Sequence, residues 1–280
     1  DDHDLMDAAV ALAQKSDATI LIVGTNSDWE TEGNDRDSLQ LPLRQNELIE
    51  KVCTANKNTV VVLNTGAPCE MPWNDQVDAI LQCWFPGQEF GNSLADIIFG
   101  DVNPSGKLPT TFPVKLEDTP AYSTYPGKDL QMDYQEGLYI GYRWYEKEKI
   151  VPLYPFGHGL SYTTFDYSNV RAIPPKGTSS VAAFELEITN TGSTEGKEVI
   201  QCYSSVQNSK VDRPLKELKK FQKINLDPGE SKKISFEVNE RDLSYWNEET
   251  KTWQVEPAQY VFEFGSSSSD IRGSAEVWLG

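Results

Sequence analysis

Apolar residues recur at helical spacing at Leu5, Ala8, Ala9, Leu12 and Ala13, which predicts an opening helix. The apolar run Ala18-Thr19-Ile20-Leu21-Ile22-Val23-Gly24 then reads as a buried strand. Residues 43–55 return to helical spacing, with Leu48, Ile49, Val52 and Cys53 on one face. Thr59-Val60-Val61-Val62-Leu63-Asn64 is a second strand, closed by Thr65-Gly66-Ala67-Pro68. Residues 77–84 predict a third, closed by Phe85-Pro86-Gly87-Gln88-Glu89, and residues 90–99 a helix carrying Leu94, Ile97 and Ile98. Helices alternating with continuous apolar strands imply a mostly parallel sheet covered on both faces. The loops ending in Glu32, Asn64 and Gln88 then share one sheet edge, where open α/β sheets place ligands.

The pattern changes after Phe112-Pro113. Residues 114–165 are rich in Tyr, Pro and Gly without helical period, and read as a long connector wrapped on a surface, with a short extended piece within residues 134–145. From Phe165 onward the chain is all-β. Phe184, Leu186 and Ile188 alternate with polar residues, Asn190-Thr191-Gly192 turns, and apolar segments follow at 199–203, 218–224, 234–238, 259–264 and 275–279. Six or so short strands with turn signals fit an immunoglobulin/fibronectin III-like β-sandwich. The expected organisation is an α/β sandwich domain over residues 1–118, a connector over 119–164 and a β-sandwich over 165–280.

Composition narrows the chemistry. With 38% hydrophobic and 24% charged residues a globular core is expected. The net charge of -18 argues against nucleic acid and anionic membrane surfaces as partners. No apolar run approaches the roughly 20 residues of a membrane helix. The four cysteines, Cys53, Cys69, Cys83 and Cys202, form no CxxC pair, so zinc and redox motifs are unsupported and no metal or other cofactor is implied. Residues 100–108 imitate a phosphate loop but are one residue too long, and Leu108 stands where Ser or Thr is needed. No G-x-S-x-G elbow occurs. The only histidines are His3 and His158, the second in a Gly-flanked turn, so a histidine-based triad is not expected.

Carboxylates remain. The loop Ser27-Asp28-Trp29-Glu30-Thr31-Glu32-Gly33-Asn34-Asp35-Arg36-Asp37 places five of them just past the first strand. Glycoside hydrolysis requires two acids: one protonates the leaving oxygen, the other attacks the anomeric carbon or activates water. A solvated loop with no role is the plainer alternative at this point.

The segment Glu32-Gly33-Asn34-Asp35-Arg36 resembles the E-G-x-D-R element of family 3 glycoside hydrolases. Trp84-Phe85-Pro86-Gly87-Gln88-Glu89-Phe90-Gly91 resembles their W-x-P-G-Q-E-x-G element, and Asn103-Pro104-Ser105-Gly106-Lys107-Leu108-Pro109 their N-P-S-G-K-L-P element. Gly141-Tyr142-Arg143-Trp144-Tyr145 and residues 154–163 complete an ordered series spanning essentially the whole chain. The resemblance implies the C-terminal α/β domain and fibronectin III-like domain of a retaining, exo-acting β-glucosidase-like enzyme. The family's acid/base then falls on Glu32, with Glu30 as its rival, and Trp29 is placed beside the aglycone. Asp35 and Arg36 are expected to pair locally, as are Glu136 and Arg143.

The resemblance also implies a nucleophilic Asp on an N-terminal (β/α)8 barrel, for which these residues have no eightfold pattern. The expected partners are therefore a β-glucoside or oligosaccharide and that barrel segment, supplied separately; the chain alone is expected to be inactive. A homo-oligomer, a transglycosylase and a non-catalytic carbohydrate- or partner-binding module stay open. So do the sugar, among glucose, xylose, galactose and a disaccharide unit, and the compartment. The resemblance leans towards secretion, while the chain shows neither a signal peptide nor an N-x-[ST] sequon.

Overall fold

The computed structural model describes residues 2–280, with side chains from Asp4 onward; the His3 side chain lies outside this range. Two compact units form, one from residues 2–98 with Phe112–Thr119, the other from Phe99–Thr111 with Pro120–Gly280. In the first, the order is α1 (Asp2–Ala13), β1 (Thr19–Gly24), α2 (Gln45–Ala55), β2 (Thr59–Asn64), β3 (Ala79–Gln82) and α3 (Phe90–Ile98). The strands are parallel in the order β1-β2-β3, with Thr19 opposite Thr59 and Val60 opposite Ala79. Central β2 buries Val61, Val62 and Leu63 completely, and the apolar stripe of α2 buries Ile49, Val52 and Cys53. Strand β3 is shorter than its apolar run because Trp84 takes φ +55° and turns the chain out of the sheet.

Two-sided cover fails at β1, where Ile20 and Ile22 are 47% and 53% exposed. The N–H groups of Thr19 and Thr25 reach the carbonyls of Asn58 and Asn64, so the odd-numbered residues of β1 bond to the β2 side. Even-numbered residues face the other edge, where the Gln45 side-chain amide meets Gly24 N–H at 2.7 Å and its carbonyl at 2.9 Å. Among the described residues, Ile20 and Ile22 present an open backbone edge and two uncovered side chains.

The second unit is an antiparallel sandwich. Strands β4 (Phe165–Ile173), β5 (Ser180–Asn190) and β8 (Ser231–Asn239) form one sheet, ordered β4-β5-β8. Strands β6 (Gly196–Val206), β7 (Glu217–Leu226), β11 (Ala258–Gly265) and β12 (Ile271–Leu279) form the other, ordered β12-β11-β6-β7. A small hairpin, β9 (Tyr245–Asn247) with β10 (Thr252–Gln254), accompanies them. Alternating Phe184, Leu186 and Ile188 meet Tyr260, Phe262 and Phe264 from the facing sheet, all buried.

The extended piece expected within residues 134–145 is instead helical from Tyr142: α4 spans Tyr142–Glu148. Tertiary packing overrides the β preference of its aromatics. Tyr145 is buried, and Tyr142 stacks on Phe156 at 4.9 Å while its hydroxyl accepts Leu218 N–H at 2.8 Å.

The sandwich core depends on the Phe184 ring, which lies 4.3 Å from Phe262 and 5.5 Å from Phe264. Phe184→Ala removes both contacts and leaves a cavity, so urea denaturation should show a loss of about 3–5 kcal/mol.

Candidate active site

The loop after β1 is shaped by Asn26. Its side-chain oxygen accepts Asp28 N–H at 2.9 Å and its carbonyl accepts the N–H groups of Trp29 and Glu30. This tight turn sends Trp29 to solvent, 41% exposed, and Glu30 inward. Only Glu30 and Arg36 withdraw from solvent within residues 26–38.

Glu30 gathers donors from two strand ends. Its Oε1 accepts the Thr25 hydroxyl, just past β1, and the Gly66 N–H at 3.0 Å, just past β2. The Arg36 guanidinium faces the same oxygen at 3.9 Å. Arg36 therefore pairs with Glu30 and not, as its spacing suggested, with Asp35. Glu32 is placed differently. It lies at a turn with Gly33, whose φ of +83° reverses the chain, and is exposed; among the described residues it has no hydrogen-bond or ion-pair partner.

The third loop arrives through Phe85. A Cβ built on Gly66 would stand 2.3 Å from Glu30 Oε2 and 2.7 Å from the Phe85 ring, so three loops converge on a residue that must lack a side chain. Gln82 secures this corner by donating to Thr65 at 3.1 Å, and Trp84 packs edge-on against buried Phe112 at 6.1 Å. Nearby Cys69 is fully buried, and desolvation pushes its thiol up to about 12, so it is no nucleophile at neutral pH. Among the described residues, no group of His, Cys, Asp and Glu could hold a metal ion. Of the two glutamates of the loop, Glu30 is bonded internally and Glu32 is exposed, as are Asp28, Asp35 and Asp37.

The model of the glycosyl hydrolase family 3 C-terminal domain matches residues 3–162. The chain belongs to glycosyl hydrolase family 3. A fibronectin type III-like domain matches residues 198–268, within the sandwich. The thermostable beta-glucosidase B of Acetivibrio thermocellus is 44% identical over 96% of this chain and 36% of its own length. The beta-glucosidase of Kluyveromyces marxianus is 45% identical over 97% and 32% respectively. The latter's crystal structure with glucose superposes with a TM-score of 0.94 at 43% identity, covering all of this chain and 33% of its own. A beta-D-glucoside glucohydrolase from Trichoderma reesei gives a TM-score of 0.87 at 32% identity, over 98% and 42%. This family 3 chain spans about a third of the length of the curated relatives it matches.

The remaining family motifs are structural within the sandwich unit. Asn103 donates to Glu195 O and accepts from Ser161 and Tyr162, while Lys107 pairs with buried Glu198 at 3.1 Å and donates to Gly159 O. Arg143 pairs with Glu217 at 3.1 Å in place of Glu136. The His158 ring stacks on Tyr154, and burial, then Lys107, holds its pKa below the ordinary value. The role of Gly66 escaped the sequence reading. Its only signal was position after an apolar strand, which any turn glycine shares.

Gly66→Ala should overpack the corner. We expect a loss of about 1–3 kcal/mol in urea denaturation, with Glu30 or Phe85 displaced.

Proposed function

We propose that this chain is the acid/base side of a retaining, exo-acting β-glycosidase, with terminal non-reducing β-D-glucosyl residues as substrate. Glu32 is its proton donor. The observation carrying this reading is the contrast between two neighbouring carboxylates. Glu30 is consumed by internal donors, whereas Glu32 is free at the strand edge within the Glu-Gly-x-Asp-Arg element. Membership of a family whose relatives here are beta-glucosidases supplies the substrate class.

The chemistry follows from what one free acid can do. Protonated Glu32 gives its proton to the glycosidic oxygen as the bond to the anomeric carbon breaks. A carboxylate nucleophile forms the glycosyl-enzyme. Glu32, now ionised, takes a proton from the water that hydrolyses it. Retention requires the two carboxyls about 5–5.5 Å apart. The nucleophile comes from polypeptide corresponding to the two thirds of the relatives that this chain does not span. The open β1 edge and uncovered Ile20 and Ile22 support that reading, because a self-sufficient sheet would cover them. Trp29, exposed in the same loop three residues before Glu32, lines the aglycone side and offers its ring to the leaving group.

In the assembled enzyme, Glu32→Ala should lower kcat/KM on phenyl glucosides by about 100-fold or more while sparing kcat/KM on glucosides with activated leaving groups, whose kcat falls because hydrolysis of the glycosyl-enzyme loses its base. Added azide should restore turnover of the activated type as the β-glycosyl azide. Equal losses on both types without rescue would sink the assignment. Separately, this chain by itself should not hydrolyse an aryl β-glucoside, and mixing it with the barrel-containing remainder should restore hydrolysis. Turnover by the chain alone contradicts the divided site; binding of oligosaccharide without restored turnover favours a non-catalytic module.

A further inference from the structure

The geometry points to Glu30 as the positioning residue of Glu32, acting through a clamp at the base of the loop 30–36. This rests on the reading of Glu32 as proton donor. Glu30 and Arg36 are the first and last residues of that loop. Their side chains are 16% and 17% exposed and face each other at 3.9 Å. All five residues between them, Thr31 to Asp35, are exposed, and the chain reverses at Glu32-Gly33. The ion pair closes the loop, and Glu32 stands near its tip.

A closed loop still has to be held relative to the sheet. Glu30 does this with the same oxygen, through Thr25 at the end of β1 and Gly66 N–H at the end of β2. Thr25 is itself buried, and Gly66 is pinned between Glu30 and Phe85. One carboxylate thereby joins two strand ends to the far side of the Glu32 turn. Its charge has a purpose that an amide would not serve, since a half-buried guanidinium left without a counter-charge is costly. The acidic loop contains one cation, Arg36, and its pair is made with the only carboxylate of the loop that faces inward. Donor misplacement by about 1 Å costs about 100-fold in rate, so a positioning effect should be kinetically visible.

The test uses the full-length enzyme, with Glu30→Ala, Glu30→Gln and Glu32→Ala compared on phenyl and dinitrophenyl β-D-glucosides, with and without azide. For Glu30→Ala we expect about 100-fold loss in kcat/KM on the phenyl glucoside, carried by kcat rather than KM, less than about 3-fold loss in kcat/KM on the dinitrophenyl glucoside, and no azide rescue. Glu30→Gln keeps an acceptor for Thr25 and Gly66 but no charge for Arg36, so it should fall between wild type and Glu30→Ala. Thermal melting of Glu30→Gln verifies that its kinetics come from folded protein.

Wild-type kinetics in both Glu30 variants would overturn the inference, as would equal losses in kcat/KM on the two substrates. Azide rescue of Glu30→Ala would also overturn it, by making Glu30 the proton donor itself. Glu32→Ala separates the two levels. If it lacks both the leaving-group dependence and the rescue, the proton-donor reading fails. If it shows them while Glu30→Ala behaves as wild type, only the positioning role fails.

Discussion

The contact between the Glu30 carboxylate and the Gly66 N–H fixes the rest of the site. It joins the loop after β1 to the loop after β2, and the absence of a side chain at Gly66 lets Phe85 bring in the loop after β3. A parallel sheet puts the carboxyl ends of its strands on one edge, but that alone does not orient the loops beyond them. Here a single acid, accepting from Thr25 and Gly66 and facing Arg36, turns three adjacent loops into one corner. Glu30 takes these internal donors, and the neighbouring Glu32 stays exposed.

That division of labour was only half legible in the sequence. Apolar runs at β1 and β2 marked the strands, and the loop between β1 and α2 stood out by its five carboxylates. The pattern Glu30-Thr31-Glu32 carried no statement of which acid turns inward, because the choice is made by Asn26 capping a turn and by a backbone N–H 36 residues away. Long-range partners of this kind leave no local periodicity. The same limit explains Arg36, whose neighbour Asp35 is adjacent in sequence while its partner Glu30 is adjacent in space. The apolar run also promised a strand covered on both faces, whereas Ile20 and Ile22 are not covered.

In the sandwich, strict alternation at Phe184, Leu186 and Ile188 announced β5 clearly. Strand β4 was hidden because its register shifts between Ser168 and Arg171 and Asn169 adopts φ +56°, which breaks the period of two. Helix α4 was hidden for the opposite reason: its aromatic residues favour strands locally, and the stacking of Tyr142 on Phe156 decides the matter. The family motifs outside the acidic loop were visible as motifs, and their purpose became clear only in the fold. Asn103 and Lys107 hold backbone carbonyls and a buried carboxylate within the sandwich unit, which accounts for their residue types.

We propose that Glu32, not Glu30, faces the glycosidic oxygen. An N-bromoacetyl β-glucosylamine places its alkylating carbon where the leaving-group oxygen sits, so it reports which carboxylate is there. Peptide mapping of the assembled enzyme after inactivation should find the label as an ester on Glu32, with competing glucoside protecting it. A label on Glu30, with Glu32 unmodified, would contradict the account.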